Sequence, residues 1–598
     1  MSKSKGLFKE YSSVFSFFYN HLGNKIYLIL LLSVVISLLD ALGLSMFIPL
    51  LQVLNQEGGV DSSSMGKIGF IVETIQNIGI NLSLTKIILV MLVFFILKGI
   101  AKYFSSIYFI ILQQSFIRKI RFYLLRGLNR ISFKQFMLSD SGRIQNTLSG
   151  EVDRVSNAFT TYFGTLRNAL MALVYLGFAF LINSGFALLV IVFGVVSHFL
   201  FKLVYSRTRK ASRNLTSQNH IFQGQIIQHV AHFKYLRSTG MVDKFSKKLE
   251  ETIVAIEDSR KRLGMLSSIG SAVVEPSIII ILAIVMWVQF HFFGGTLSTA
   301  MVSLLFFFRA LTSLINLQAQ WNTFLKVSGS LENIDSFSES LKQHQFEDGK
   351  IPFNSFEKGI SIENLNFSYG SKLILKNINL QISRNESVAF VGESGSGKTT
   401  LISLITGLLH PDKGSITIEG VSLSEFDSKS YQKRIGYVSQ DPVIFDDSLF
   451  NNITFWAPKT PENILRFNDS VQKASLDNFI SELDERENTI LGNNGINLSG
   501  GQRQRVSIAR ELYKDIDLLI LDEATSALDS ETEQAIQTSI EALQGKYTLL
   551  IVAHRLSTIR NTDRIVFMDK GVIIDVDSFD NLIQKQDRFR KMVALQEL

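Results

Sequence analysis

Gly392, Gly395 and Gly397, followed at once by Lys398 and Thr399, lie in SVAFVGESGSGKTTLISLI, between an apolar strand-like run and a helix-like one. Glycines at this spacing let a tight loop aim its backbone N–H groups, those of Glu393, Ser394 and Ser396 among them, at one anion. Lys398 then reaches the outer phosphates of a nucleoside triphosphate and Thr399 offers its hydroxyl to Mg2+, with Thr400 continuing the first helical turn. A second stretch, DLLILDEATSALD, runs from Asp517 to Asp529 and carries an apolar run into Asp522 and Glu523. Asp522 at a strand end suits a water-mediated hold on Mg2+, and Glu523 beside it suits a general base for the attacking water. The chemistry implied is nucleoside triphosphate hydrolysis. What that hydrolysis drives does not follow from these residues.

The elements that must position them are strand, loop and helix, so the region from about residue 350 onward reads as an α/β unit. The rest of the 598 residues differ in kind: up to about residue 330 the chain is strongly apolar and holds most of the 47 phenylalanines. Six stretches there are long enough to cross a bilayer, near 26–51, 85–108, 160–182, 184–205, 268–292 and 297–320. Runs such as SIIIILAIVMWVQFHFF have no polar face for water. With no cysteine in the chain, disulfides and thiolate metal sites are excluded.

Charge sets the expected topology. Lys67 is the only cation between the first two spans, whereas Arg118, Lys119, Arg121, Arg126, Arg130, Lys134, Arg143 and Arg154 crowd the next connection. The segment from Arg207 to Arg262 is equally basic. Both basic segments and both chain ends are therefore placed in the cytoplasm. The net charge of +7 is thus a topology signal more than a nucleic-acid footprint. These connections are rich in helix formers, which predicts spans two to five continuing as long helices beyond the membrane. SGRIQNTLSGEVDRVSNAF and GQIIQHVAHFKYLRSTG are the expected turning elements, and LFKEYSSVFSFFYN an interfacial amino-terminal segment.

Leu498-Ser499-Gly500-Gly501-Gln502, upstream of the DEATSALD strand, resembles the signature of ATP-binding-cassette proteins. The resemblance covers the whole chain, and with it come further expected roles. Ser499, Gly500, Gly501 and Gln502 would close on the ATP held by the phosphate loop of a second subunit, and Asp529 would contact the opposite cassette. Tyr369 in NFSYGSK would stack on adenine. Gln440 in YVSQDPVIF would sense Mg2+ and the attacking water, and His554 in LLIVAHRLSTI would hydrogen-bond the γ-phosphate. The chain departs from the exporter pattern at Gly492-Asn493-Asn494-Gly495, where a glutamate usually stands at Asn493. Asn493 keeps a hydrogen-bonding side chain there but has no charge for an ion pair.

The order of parts resembles an exporter-type half-transporter working as a pair of identical chains with ATP and Mg2+. The expected fold is a six-helix all-α transmembrane domain followed by an α/β P-loop ATPase cassette with a helical subdomain. The expected bounds are 1–25 for the interfacial segment, 26–330 for the transmembrane domain, 331–355 for a linker and 356–598 for the cassette. Charges inside membrane helices are costly and usually functional. Asp40, Lys98, Lys102, Arg167 and Arg309 are therefore candidates for a cavity that takes an anionic headgroup, with snorkelling or structural pairing as the other reading. DALGLSMFIPLLQVL and FFILKGIAKYFSS resemble bacterial lipid and lipid-linked oligosaccharide flippases, and a cysteine-protease domain ahead of the spans is not expected. Outward flipping of a lipid-like substrate across the inner membrane leads. Multidrug or general lipid export, peptide export and a nucleotide-gated membrane regulator stay open; no nucleic-acid partner is expected.

Overall fold

A computed structural model of the chain describes residues 7–55, 69–77, 83–182, 184–288, 297–522, 530–553 and 559–596. The chain divides into two compact units. The first holds residues 1–131 and 138–345, and the second holds Ser132–Met137 with everything from Phe346 on.

The first unit is helical: α1 (Leu7–Leu22), α2 (Lys25–Ser45), α3 (Phe47–Asn55), α4 (Gly69–Asn77), α5 (Leu84–Leu128), α7 (Ser141–Asn146), α8 (Val152–Ile182), α9 (Ser184–Ala231), α10 (Phe233–Ser238), α11 (Val242–Val288) and α12 (Leu297–Gln343), with α6 (Phe133–Leu138) falling mostly in the second unit. At 1.5 Å per residue, helices of 45 to 48 residues such as α5, α9, α11 and α12 are about 70 Å long, more than twice the thickness of a hydrocarbon core. Among the described residues three stretches are long and apolar enough to cross a membrane: Lys25–Leu54, Leu84–Leu128 and Ser141–Leu181. The expected spans at 184–205, 268–292 and 297–320 fall on α9, α11 and α12 but are not among these three. Lys67 and the HFFGGTLST turn also lie largely outside them.

One expectation is corrected. SGRIQNTLSGEVDRVSNAF is not a turning element but helix throughout: Asp140 caps α7 by accepting the Arg143 N–H, and a π-turn over Thr147–Glu151 carries the chain into α8. The turn comes earlier, after Leu128. The amino-terminal helix α1 packs on the helical unit through Phe18, whose ring is fully buried against Phe116, Phe159, Tyr162 and Phe163. Residues 331–343, expected as linker, are the last turns of α12. Polar contacts lock α12 to α9: Ser212 Oγ donates to the Lys326 carbonyl, and Glu332 takes both Arg209 and Arg213. Burial alone would raise the Glu332 carboxyl, but the hydrogen bonds from Arg213 and Arg209 outweigh it and hold the group below its usual range.

The second unit is an α/β body. A six-stranded sheet has the order β10 (Val572–Asp577), β9 (Arg564–Asp569), β3 (Ser387–Val391), β8 (Thr548–Val552), β7 (Leu518–Asp522), β6 (Ile435–Val438), parallel except for β10. Strands β3, β7 and β8 are buried along their whole length on both faces, which is why they read as unbroken apolar runs. Val388 and Phe390 of β3 face one core while Ala389 and Val391 face the other. An antiparallel sheet, β2 (Lys372–Ser383), β1 (Gly359–Tyr369), β4 (Lys413–Ile418), β5 (Val421–Ser422), covers the first face. Helices α15 (Leu449–Thr454), α16 (Pro461–Lys473) and α18 (Gly500–Tyr513) build the second core. Residues 350–353, expected as linker, run along the cassette, with Lys350 and Ile351 N–H both donating to the Glu425 carbonyl.

Candidate functional site

Four parallel strands, β3, β8, β7 and β6, end on one edge of the large sheet, and the loops after them carry the predicted chemistry. The phosphate loop leaves β3 and enters α13 (Lys398–Ile405). Gly395 and Gly397 have φ of 80° and 104°, where an L side chain is strained, and a Cβ on Gly392 would come within 2.1 Å of the Met568 carbonyl oxygen. Only glycine fits these turns. Glu393, Ser394, Gly395 and Thr399 form the exposed rim, whereas Ser396, Gly397 and Lys398 are buried. Lys398 Nζ donates to the carbonyls of Gly392 at 2.8 Å and Glu393 at 3.1 Å, so the ammonium braces the loop from within. Ser396 Oγ is buried with no hydrogen-bond partner. A buried orphan hydroxyl in a cradle of glycines beside an ammonium fits a polyphosphate.

Asp522 closes β7, is 7 % exposed, and accepts the Tyr437 hydroxyl at 2.9 Å. Tyr437 comes from the neighbouring β6, three residues before Gln440, which is exposed just past that strand's end. Burial, and then the Asp522 charge, push the Tyr437 hydroxyl well above its ordinary pKa, so it stays a proton donor at any physiological pH. Sequence reading missed Tyr437; its alternation on the strand leading to Gln440 was the available signal. Among the described residues no group of three or more His, Cys, Asp or Glu could hold a metal ion. Mg2+ is held by one or two carboxylates, a hydroxyl such as that of Thr399, and substrate phosphates. Tyr437→Phe is expected to raise the Mg2+ concentration for half-maximal turnover roughly tenfold, as loss of a partner that orients a ligand usually does. A Mg2+ titration of phosphate release checks this, and an unchanged midpoint would remove Tyr437 from the site. Glu523, Asp529 and His554 lie outside the described residues.

Ser499 caps α18 through a capping box: its Oγ accepts the Gln502 N–H, and Gln502 Oε1 accepts the Ser499 N–H at 2.8 Å. The Ser499 hydroxyl proton is not used in this box, and the side chain is exposed at the positive end of the helix beside Gly500 and Gly501. The double glycine and polar cluster thus form a helix amino terminus suited to an anion. Asn493 is exposed in the turn just upstream, where Asn494 takes a left-handed conformation at φ 53°. Tyr369 ends β1, half-buried, edge-on to Phe367 at 5.0 Å.

In the helical unit the predicted charges separate into two kinds. Asp40 is 1 % exposed and takes both Lys98 Nζ and the Tyr175 hydroxyl, tying α2 to α5 and α8. Lys102, Arg167 and Arg309 are exposed. The structure therefore joins Asp40 to Lys98 and adds Tyr175, which no charge pattern in the sequence marked.

Residues 26–315 match the family described as ABC transporter transmembrane region, and residues 375–526 match that described as ABC transporter. The ATP-dependent lipid A-core flippase of Hahella chejuensis is 30 % identical, over 84 % of this chain and 86 % of that one. The heterocyst differentiation ATP-binding protein HepA of Nostoc sp. is 28 % identical, over 84 % and 82 %. The structure of a bacterial Atm1-family ABC exporter with ATP bound superposes with a TM-score of 0.78 over 96 % of this chain and 100 % of that one, at 21 % identity. With two family matches in series and a phosphate loop built as they require, the chain belongs to the ABC transporters, a membrane-spanning helical domain fused to a cassette that hydrolyses ATP with Mg2+ to drive transport.

Proposed function

We propose that two copies of this chain, each crossing the cytoplasmic membrane six times, flip a lipid or lipid-linked glycan outward by alternating access. The likeness to lipid A-core flippases over most of the chain carries the reading of the cargo. In each copy Lys398 and the loop amides hold the triphosphate, Thr399 and Asp522 hold Mg2+ with Gln440 beside it, Glu523 takes the proton of the attacking water, and His554 steadies the γ-phosphate. Ser499 of one copy closes on the nucleotide of the other, with Asp529 at the same junction. Exposed aromatics on the turning helix α10, Phe233 and Tyr235, and exposed apolar residues on the cassette, the packed pair Phe445 and Trp456 together with Ile496, support a second copy, because both faces need cover.

Asp40 neutralises Lys98, so the cations left to meet an anionic headgroup are Lys102, Arg167 and Arg309. Arg309→Gln is expected to abolish most of the stimulation of ATP turnover by an anionic lipid while basal turnover persists. Turnover in nanodiscs, with phospholipids, a polyprenyl-pyrophosphate glycan and a cationic drug compared, tests this. Equal stimulation of both proteins by the anionic lipids would remove Arg309 from the cargo path, and stimulation by the drug alone would overturn the lipid reading.

A further inference from the structure

Lys134 is far in sequence from every residue that handles nucleotide, yet it belongs to the cassette body. Ser132–Met137 group with that unit, and the neighbouring Phe133 packs against its core. Lys134 Nζ donates to the Ser368 carbonyl at 3.2 Å and stands over the Phe367 ring at 5.3 Å. Phe367 is buried, and its ring meets Tyr369 edge-on, 5.0 Å between centroids at 89°. One ammonium therefore holds both the peptide carbonyl just before Tyr369 and the aromatic ring against which Tyr369 rests.

The site of this grip matters. Pairing between β1 and β2 slips between Phe367 and Ser368, and the hairpin turns immediately afterwards at Gly370, with φ of 60°. A strand end with irregular register is poorly specified by its own ladder. A half-buried cation bonded to a carbonyl and seated on a ring face supplies what the ladder does not, since charge-assisted hydrogen bonds and cation–π contacts strengthen as water is excluded.

We infer that Lys134 is a positioning residue for the nucleotide base: by holding the Ser368 carbonyl and the Phe367 ring, it sets the orientation of the Tyr369 face on which an adenine stacks. This rests on the reading of Tyr369 as that platform. Lys134 touches neither base nor phosphate, and its effect is confined to the base end of the ligand. The expected signature is a loss of affinity for ATP with no matching loss for a triphosphate that has no base.

The test uses the full-length protein in nanodiscs and reads two quantities: KM for ATP, and inhibition of turnover by inorganic tripolyphosphate. Lys134→Met keeps side-chain length and removes the charge, and Lys134→Arg restores a donor and a cation. Lys134→Met is expected to raise KM for ATP roughly three- to tenfold, with the tripolyphosphate inhibition constant and kcat within a factor of two. Lys134→Arg is expected to recover most of the loss. Tyr369→Ala serves as the separate control and should show the same base-limited loss. If Tyr369→Ala weakens ATP selectively while Lys134→Met does not, the inference about Lys134 falls and the platform stands. If Lys134→Met weakens ATP and tripolyphosphate equally, its role is general support of the cassette and the inference also falls. If Tyr369→Ala leaves the ratio unchanged, the platform reading itself is overturned.

Discussion

Lys398→Ala is expected to lower ATP turnover at least a hundredfold, which corresponds to about 2.7 kcal/mol of transition-state stabilisation. Lys398 is 5 % exposed and already oriented by the carbonyls of Gly392 and Glu393, so its charge reaches the site without further ordering. Removing it takes away both the charge proposed to meet the outer phosphates and the brace that shapes the loop, so nucleotide binding should weaken together with turnover. Glu523→Gln separates these two effects. It should lower turnover by about 10²–10⁴-fold, the usual worth of a general base, with nucleotide still bound. Phosphate release and equilibrium binding of a fluorescent ATP analogue, measured on both variants, check the pair. Normal turnover in Lys398→Ala would remove the phosphate loop from the mechanism, and normal turnover in Glu523→Gln would reassign the base.

Asp40→Ala is expected to destabilise the helical unit by about 3 kcal/mol, because it leaves the Lys98 ammonium without its carboxylate among apolar side chains. Asp40→Asn should cost less, since an amide oxygen still accepts the Tyr175 hydroxyl. The double variant Asp40→Ala/Lys98→Met should recover a good part of the loss, because an apolar pair in place of an ion pair is often neutral. Inactivation rates of the detergent-solubilised protein at rising temperature give the comparison. A double variant no more stable than Asp40→Ala would mean that the two residues do not act as a pair. A double variant that recovers stability but loses lipid stimulation would return them to the cargo path.

Much of the nucleotide site was legible in the residues. Only glycine tolerates the backbone of a phosphate loop, so Gly392, Gly395 and Gly397 ahead of Lys398 name their own geometry. The unbroken apolar runs ahead of Gly392 and Glu523 are legible for a related reason: strands covered on both faces cannot afford polar alternation. The helix lengths followed from the scarcity of breakers in the basic connections. The place of the first turn did not, because Asp140 starts a helix and the π-turn after it carries that helix on, where serines and glycines suggested a break.

What the sequence determined by itself was the local chemistry: which loops are shaped for phosphate, which stretches prefer lipid, which end of α18 suits an anion. These depend on neighbours within a few residues, through backbone freedom, hydropathy and capping. What only the tertiary structure decided was which distant groups meet. Parallel pairing brings the loops after β3, β6 and β7 to one edge and sets Tyr437 on Asp522, 85 residues away. Helix packing sets Asp40 against Lys98 and Tyr175, and returns Lys134 to the strand that carries Tyr369. Such partners have no fixed spacing along the chain, because the ion pairs and hydrogen bonds between them are set by how strands and helices stack.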